Sequence, residues 1–146
     1  MSSLYTIGYE GSDITSFLDN VERHGIKLLV DVREKPLSHK KGFSKTSLKA
    51  ALNARGIEYL HIAKLGSPKE IRDELHRTWD YSEFFQQYRL YVVNELDVIM
   101  GLLSRVENVP SCLMCFEHDP QSCHRSIVAE LIEMYSDIIV QVRDIS

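Results

Sequence analysis

The chain alternates between two hydrophobic periods. Short continuous apolar runs, typical of buried strands, separate segments whose apolar residues recur at three- and four-residue helical steps. The runs predict strands at residues 4–9, 28–32, 57–62, 111–116 and 138–142. Strands that alternate with helices form a mostly parallel sheet covered on both faces. We therefore predict a single α/β domain over residues 1–146, with a sheet of about five strands flanked by helices in three layers.

Capping residues and apolar periodicity indicate where the helices lie. Helices are expected after Ser12 or Asp13, after Ser44 or Thr46, over residues 68–79, from the cap Ser82 through Leu103, and from Ser122 or Cys123 onward. Each of the first four predicted strands is thus followed by helical sequence, as a parallel sheet with crossover connections requires.

Unusual polar residues follow the ends of four predicted strands, at residues 8–11, 31–33, 65–67 and 115–125. In open parallel sheets, ligands bind in the crevice outside the carboxyl ends of the strands. Polar residues scattered over a surface would have no reason to favour this edge. We therefore expect the four segments to share one pocket.

The last of these segments holds the densest chemistry of the chain. It places Cys115 and Glu117 after a strand, and Cys123, His124 and Arg125 where the next helix begins. The amino end of a helix favours bound anions and thiolates. We predict Cys123 as a nucleophile, with Cys115 as the alternative, and Glu117 or His124 as acid or base. Thiol-dependent transfer or hydrolysis is the expected reaction.

Metal binding is a second interpretation of the cysteines. Cys112 and Cys115 have the spacing of a zinc knuckle, but residues three apart in a strand point to opposite faces. Cys112 is therefore expected to be a core residue. A looser ligand set consists of Cys115, Cys123 and His124 with Glu117 or His118. This set lacks paired-knuckle spacing, so we predict no metal site.

A structural role for the cluster is a third interpretation. The cysteines would then be packing groups, and Glu117 and Arg125 would form a salt bridge that fixes the loop. Asp31 could cap the turn that follows it, or pair with Arg33 or Arg125.

Charge is distributed unevenly, although the whole chain has a net charge of −4. Residues 33–49 contain one acid, Glu34, and the basic residues Arg33, Lys35, Lys40, Lys41, Lys45 and Lys49. A protein that coats nucleic acid is usually basic overall, so this patch favours one anionic ligand. The predicted anion-binding residues are Arg33, Ser38, Lys40 and Arg125.

Two functions remain open on these grounds. The first is an enzyme that acts on an anionic small molecule or nucleotide. The second is a non-catalytic nucleic-acid or nucleotide-binding module that uses residues 33–49, with a structural or zinc-binding cysteine cluster. The sequence does not identify a cofactor.

No apolar run is long enough to span a bilayer, and residues 1–4 lack the basic, then apolar, start of a signal peptide. We expect a cytoplasmic protein without a membrane partner. In a reducing compartment the cysteines are expected to be free, catalytic or metal-bound, and a disulfide is the least favoured arrangement.

Several motifs together resemble the DUF488 family of uncharacterised proteins. They are residues 6–11, Asp31-Val32-Arg33 with Pro36 and Ser38, Tyr59 with Leu65-Gly66, and Cys115, Glu117 and Cys123-His124-Arg125. The resemblance implies a compact α/β fold with a shared polar site. The chain departs from the family pattern at His39, where an arginine is frequent, and at Ser67, where a second glycine is frequent. A looser, architectural similarity links it to rhodanese-like domains.

Overall fold

The computed structural model of the protein describes residues 2–146, so Met1 of the predicted domain lies outside the described residues. The strands are β1 (Ser2–Gly8), β2 (Leu28–Asp31), β3 (Glu58–His61), β4 (Ser111–Cys115) and β5 (Val140–Ile145). They form one sheet in the order β3-β2-β4-β1-β5, and all neighbouring strands are parallel. This confirms the predicted α/β fold with a five-stranded parallel sheet.

Helices cover both faces of the sheet. They are α1 (Ile14–Arg23), α2 (Lys45–Asn53), α3 (Lys69–Thr78), α4 (Tyr81–Val92), α5 (Leu96–Asn108) and α6 (Arg125–Tyr135). One core forms where α1 and α2 contribute Phe17 and Leu48, and a second where α4 and α6 contribute Tyr88 and Ile127. The two cores give the predicted three layers. No helix within residues 2–146 is long and apolar enough to cross a membrane.

The prediction of one long helix after Ser82 is wrong. The side chain of Asp80 caps α4 by accepting a hydrogen bond from the backbone N–H of Glu83 at 3.1 Å. A short 3-10 turn at Val93–Glu95 then separates α4 from α5. Two β-branched valines followed by asparagine form a weak point in helix propensity, although the apolar spacing continues across it.

Two further boundaries differ from the prediction. Helix α6 begins at Arg125 instead of Ser122 or Cys123, because Pro120–Ser122 forms a separate 3-10 turn. Strand β5 begins at Val140, since it pairs with β1 as an edge strand and its backbone pairing continues through polar residues. The apolar residues before it are exposed.

The ends of β1 and β4 are held unusually close together. The backbone N–H of Tyr9 donates to the carbonyl of Cys115 at 3.2 Å, and that of Glu10 donates to the carbonyl of Phe116 at 2.8 Å. A Cβ atom at Gly8 would lie 1.7 Å from the carbonyl oxygen of Glu117. Only glycine allows this approach, which fixes the segment after β4 across the end of β1.

Candidate active site

A cavity of about 270 Å³ lies beyond the carboxyl ends of β1, β2 and β4. Its lining consists of Tyr9, Arg33, Glu34, Lys35, Leu37, Ser67, Arg72, Leu75, His76, Phe84, Cys115, Phe116, Glu117 and His124. Each of the four polar segments that follow predicted strands contributes at least one of these residues. The sheet thus brings the four segments to one place.

Cys115 and Cys123 meet at the floor of this region. Their Sγ atoms lie 2.12 Å apart and form a disulfide, although the sequence made a disulfide the least favoured arrangement. The loop between them turns back through the 3-10 turn at Pro120–Ser122, so the start of α6 lies against the end of β4. Of the two cysteines, Cys115 belongs to the cavity lining and Cys123 does not.

Cys112 takes no part in this arrangement. It is fully buried and packs in the core formed with α1 and α2, whereas Cys115 packs in the core on the opposite face of the sheet. The prediction that the two cysteines point to opposite faces, with Cys112 as a core residue, is therefore confirmed.

The side chain of Arg125 is fully buried behind the sulfurs. Its Nη1 lies 3.2 Å from Cys115 Sγ and also donates to the carbonyl of Glu117. Its Nη2 donates to the carbonyl of His118 at 3.0 Å and to the carboxylate of Asp144 at 3.1 Å. The backbone N–H of Arg125 points to Cys123 Sγ at 3.5 Å. Each sulfur therefore has a nitrogen donor that would stabilise a thiolate after reduction.

Arg33 is fixed by Asp31, which is one of the pairings considered from the sequence. Its Nε and Nη2 donate to the two carboxylate oxygens at 2.9 and 2.7 Å, and Nη1 donates to the hydroxyl of Tyr9 at 3.2 Å. Burial acts to lower the pKa of Arg33, but the hydrogen bond and charge of Asp31 raise it overall. Arg33 is thus a permanent cation on the cavity wall.

The predicted anion-binding residues do not come together. Arg33 lines the cavity, whereas Arg125 does not belong to the lining, and backbone carbonyls and Asp144 bind its guanidinium. Ser38 lies in a separate depression, and Lys40 donates to the carbonyl of Tyr9 at 3.3 Å. The expected convergence of Arg33 and Arg125 on one anion is therefore wrong. The expected salt bridge between Glu117 and Arg125 is replaced by the carbonyl contact.

Glu117 lies beside the sulfur of Cys115 and His124 beside that of Cys123, and burial shifts the pKa values of the two groups in opposite directions. Glu117 Oε2 lies 3.6 Å from Cys115 Sγ, and burial raises the pKa of the Glu117 carboxyl. His124 donates from Nε2 to the carbonyl of Val32 at 2.7 Å, which leaves Nδ1 as an acceptor 3.8 Å from Cys123 Sγ. Burial lowers the pKa of His124 to about 4, so its ring is neutral at pH 7.

Sequence reasoning missed the contribution of α3. Arg72 and His76, one helical turn apart, both line the cavity. Arg72 donates to the carboxylate of Glu34 at 2.9 Å and to the carbonyl of Ser67. The sequence does contain a pattern that indicates this contribution: two basic side chains lie four residues apart on a helix that follows a polar strand end. Lys35 is a further cation at the cavity, and it is exposed.

Three potential metal ligands also lie together. The Sγ atoms of Cys115 and Cys123 and a carboxylate oxygen of Glu117 are all within 4.8 Å of one another. His124 and His118, which the sequence had offered as ligands, do not belong to this group of three.

Comparison with known proteins gives one match. The family model described as "Domain of unknown function DUF488" matches residues 13–132. No curated protein and no solved structure matches the chain.

Proposed function

Since the chain belongs to the DUF488 family of domains of unknown function, we propose a function from its own cavity. The protein is an enzyme that carries out a thiol-dependent transfer or hydrolysis on an anionic small molecule or nucleotide. The observation that supports this most is the position of Cys115, which lines the cavity and whose Sγ lies 3.2 Å from the buried guanidinium of Arg125.

Cys115 is the nucleophile in this proposal, in place of Cys123. Cys115 lines the space where a substrate would bind, and a charge-assisted hydrogen bond from Arg125 stabilises its thiolate by about 1.5–3 kcal/mol. Cys123 is the partner that forms the disulfide with it. The disulfide must therefore be reduced before turnover.

The remaining cavity residues support one order of events. Arg33, Lys35 and Arg72 attract the anionic group of the substrate. The Cys115 thiolate attacks the electrophilic atom, and the bond to the leaving group breaks as that group takes a proton from Glu117. The Glu117 carboxylate then takes a proton from water or an acceptor as that nucleophile attacks the covalent intermediate, and the bond to sulfur breaks with its electron pair returned to the Cys115 thiolate. Glu117 is placed for both proton transfers by its 3.6 Å distance from Cys115 Sγ.

The test is a search for a covalent intermediate in the reduced full chain. Activated thioesters and phosphate esters that carry a second anionic group are offered, and intact-protein mass spectrometry follows the adduct. The proposal expects turnover and an adduct on Cys115, both lost in Cys115→Ala and both kept in Cys112→Ala. Turnover that survives in Cys115→Ala would contradict it.

The alternative function is that of a non-catalytic nucleic-acid-binding module. Lys41, Lys45 and Lys49 of the basic segment are exposed. If the chain binds nucleic acid with an affinity that falls steeply with salt, and shows no turnover, the module is the better account.

A further inference from the structure

We propose that the reduced chain binds one thiophilic divalent cation, such as Zn²⁺, through Cys115 Sγ, Cys123 Sγ and a carboxylate oxygen of Glu117. This inference does not rest on the proposed enzymatic function. It reverses the expectation drawn from cysteine spacing, because the three ligands come from the end of β4, the loop after it and the residue that ends the 3-10 turn before α6. Such a set does not have the paired-knuckle pattern that a sequence reveals.

The distance from Glu117 to Cys115 fits a tetrahedral ion, and reduction of the disulfide frees the two sulfurs to separate around it. Zinc bonds of about 2.3 Å to sulfur and about 2.0–2.2 Å to oxygen place adjacent sulfur and oxygen ligands about 3.6 Å apart. Glu117 Oε2 lies 3.6 Å from Cys115 Sγ. The Cα atoms of Cys115 and Cys123 are 7.5 Å apart, wider than the roughly 4.4–6.8 Å usual for a disulfide. The backbone therefore has room for an ion between two separated thiolates.

Charge balance favours the same ion. Two thiolates and a carboxylate carry three negative charges, which a buried site cannot hold without compensation. A divalent cation compensates two of these charges, and the guanidinium of Arg125, which lies 3.2 Å from Cys115 Sγ and also binds Asp144, acts against the third. The backbone N–H of Arg125, 3.5 Å from Cys123 Sγ, orients the second thiolate. Such outer contacts fix the ligands of metal sites.

The ligand set also indicates the kind of metal and the kind of site. Thiolates select zinc and similar soft ions over Mg²⁺ and Ca²⁺, which prefer oxygen. Three protein ligands leave a fourth position open, as in catalytic zinc sites. Because Cys115 and Glu117 line the cavity, that position faces the cavity. Metal binding and alkylation of Cys115 then exclude each other.

The test titrates Co²⁺ into the full chain, reduced and stripped of metal without oxygen. One Co²⁺ per chain is expected, with thiolate-to-cobalt charge-transfer absorption and intense tetrahedral visible bands that Zn²⁺ removes. Cys115→Ser or Cys123→Ser should abolish the charge-transfer absorption. Glu117→Gln should weaken binding about tenfold or more. The matched controls Cys112→Ala and Asp119→Asn should bind as the wild type does, since neither residue belongs to the ligand set.

A second readout uses the wild type alone, in case a cysteine variant fails to fold. Zn²⁺ should protect Cys115 and Cys123 from iodoacetamide in peptide-mapped labelling. The proposal is overturned if the reduced wild type shows no thiolate-to-cobalt absorption, or if Glu117→Gln binds with unchanged affinity. No substrate is present in either experiment, so a failed search for turnover does not affect the result.

Discussion

The guanidinium of Arg125 lies 3.2 Å from the sulfur of Cys115, with its charge fully buried. A buried cation is costly unless it is paired, and here two backbone carbonyls and the carboxylate of Asp144 bind it. The first turn of α6 is thus tied to the loop after β4 and to the edge strand β5. The same contacts keep the guanidinium of Arg125 next to the sulfur of Cys115, which is a cavity-lining residue.

Arg125→Ala should lower the free energy of unfolding by about 2–5 kcal/mol, because it empties a fully buried side-chain position and leaves the carbonyls of Glu117 and His118 without their donor. Urea denaturation of the reduced protein measures this. Arg143→Ala, which removes an exposed arginine on the same edge strand, is the control and should change stability little. A loss below about 1 kcal/mol in Arg125→Ala would contradict the structural role.

Acid should destabilise the disulfide-bonded, metal-free protein through His124. The pKa of His124 is lowered to about 4 in the folded chain, against 6.5 for the ordinary group. Between these values the unfolded chain binds the extra proton, so stability is full above pH 6.5 and is lost as pH falls toward 4. The loss should reach about 3 kcal/mol.

Denaturation midpoints between pH 7.5 and 4 measure this loss. His124→Gln should flatten the acid-side slope, whereas the control His24→Gln, at an exposed ring, should keep it. An equal slope in wild type and His124→Gln would show that His124 is not the group responsible.

Gly8→Ala should destabilise the protein by about 1–3 kcal/mol, because its Cβ would lie 1.7 Å from the Glu117 carbonyl oxygen. Gly101→Ala is the matched control. It adds the same atom within α5, where nothing lies within 4 Å, and should stabilise by about 0.5–1 kcal/mol. Thermal unfolding compares the two variants, and equal effects would exclude the close contact at Gly8.

Lys35→Ala should weaken phosphate or nucleotide binding about threefold to tenfold, whereas Lys49→Ala should leave it unchanged. Both lysines are exposed members of the basic segment, but Lys35 lines the cavity and Lys49 lies on α2. Isothermal titration calorimetry on the reduced chain measures the affinities. Equal weakening in both variants would favour a diffuse basic surface.

Much of the fold is predictable because the inner strands β2 and β4 are buried throughout. The break between α4 and α5 escapes prediction, since the apolar spacing continues across Val93–Glu95. The start of β5 also escapes, because backbone pairing at a sheet edge requires no apolar side chains. The periodicity of apolar residues indicates which side chains are buried. It does not indicate where a helix breaks or a strand begins when the backbone geometry determines that position.

The position of the site is also predictable from the sequence, but the directions of its side chains are not. The rule that ligands gather at strand ends brings Arg33 and Cys115 to one cavity. It does not determine side-chain direction, so it could not show that Arg125 binds backbone carbonyls of the loop and does not belong to the cavity lining. The contact between Cys115 and Cys123 depends on how the intervening loop folds back, which no local pattern encodes.

The central claim is that Cys115 is the reactive thiol of an anion-binding cavity. The most direct test is the rate of iodoacetamide labelling of each cysteine in the reduced, metal-free chain, mapped by peptide mass spectrometry with and without millimolar phosphate or nucleotide. We predict that Cys115 is labelled before Cys123 and Cys112, and that the anion slows the labelling of Cys115. Faster labelling of Cys123, or a Cys115 rate that no anion changes, would contradict it.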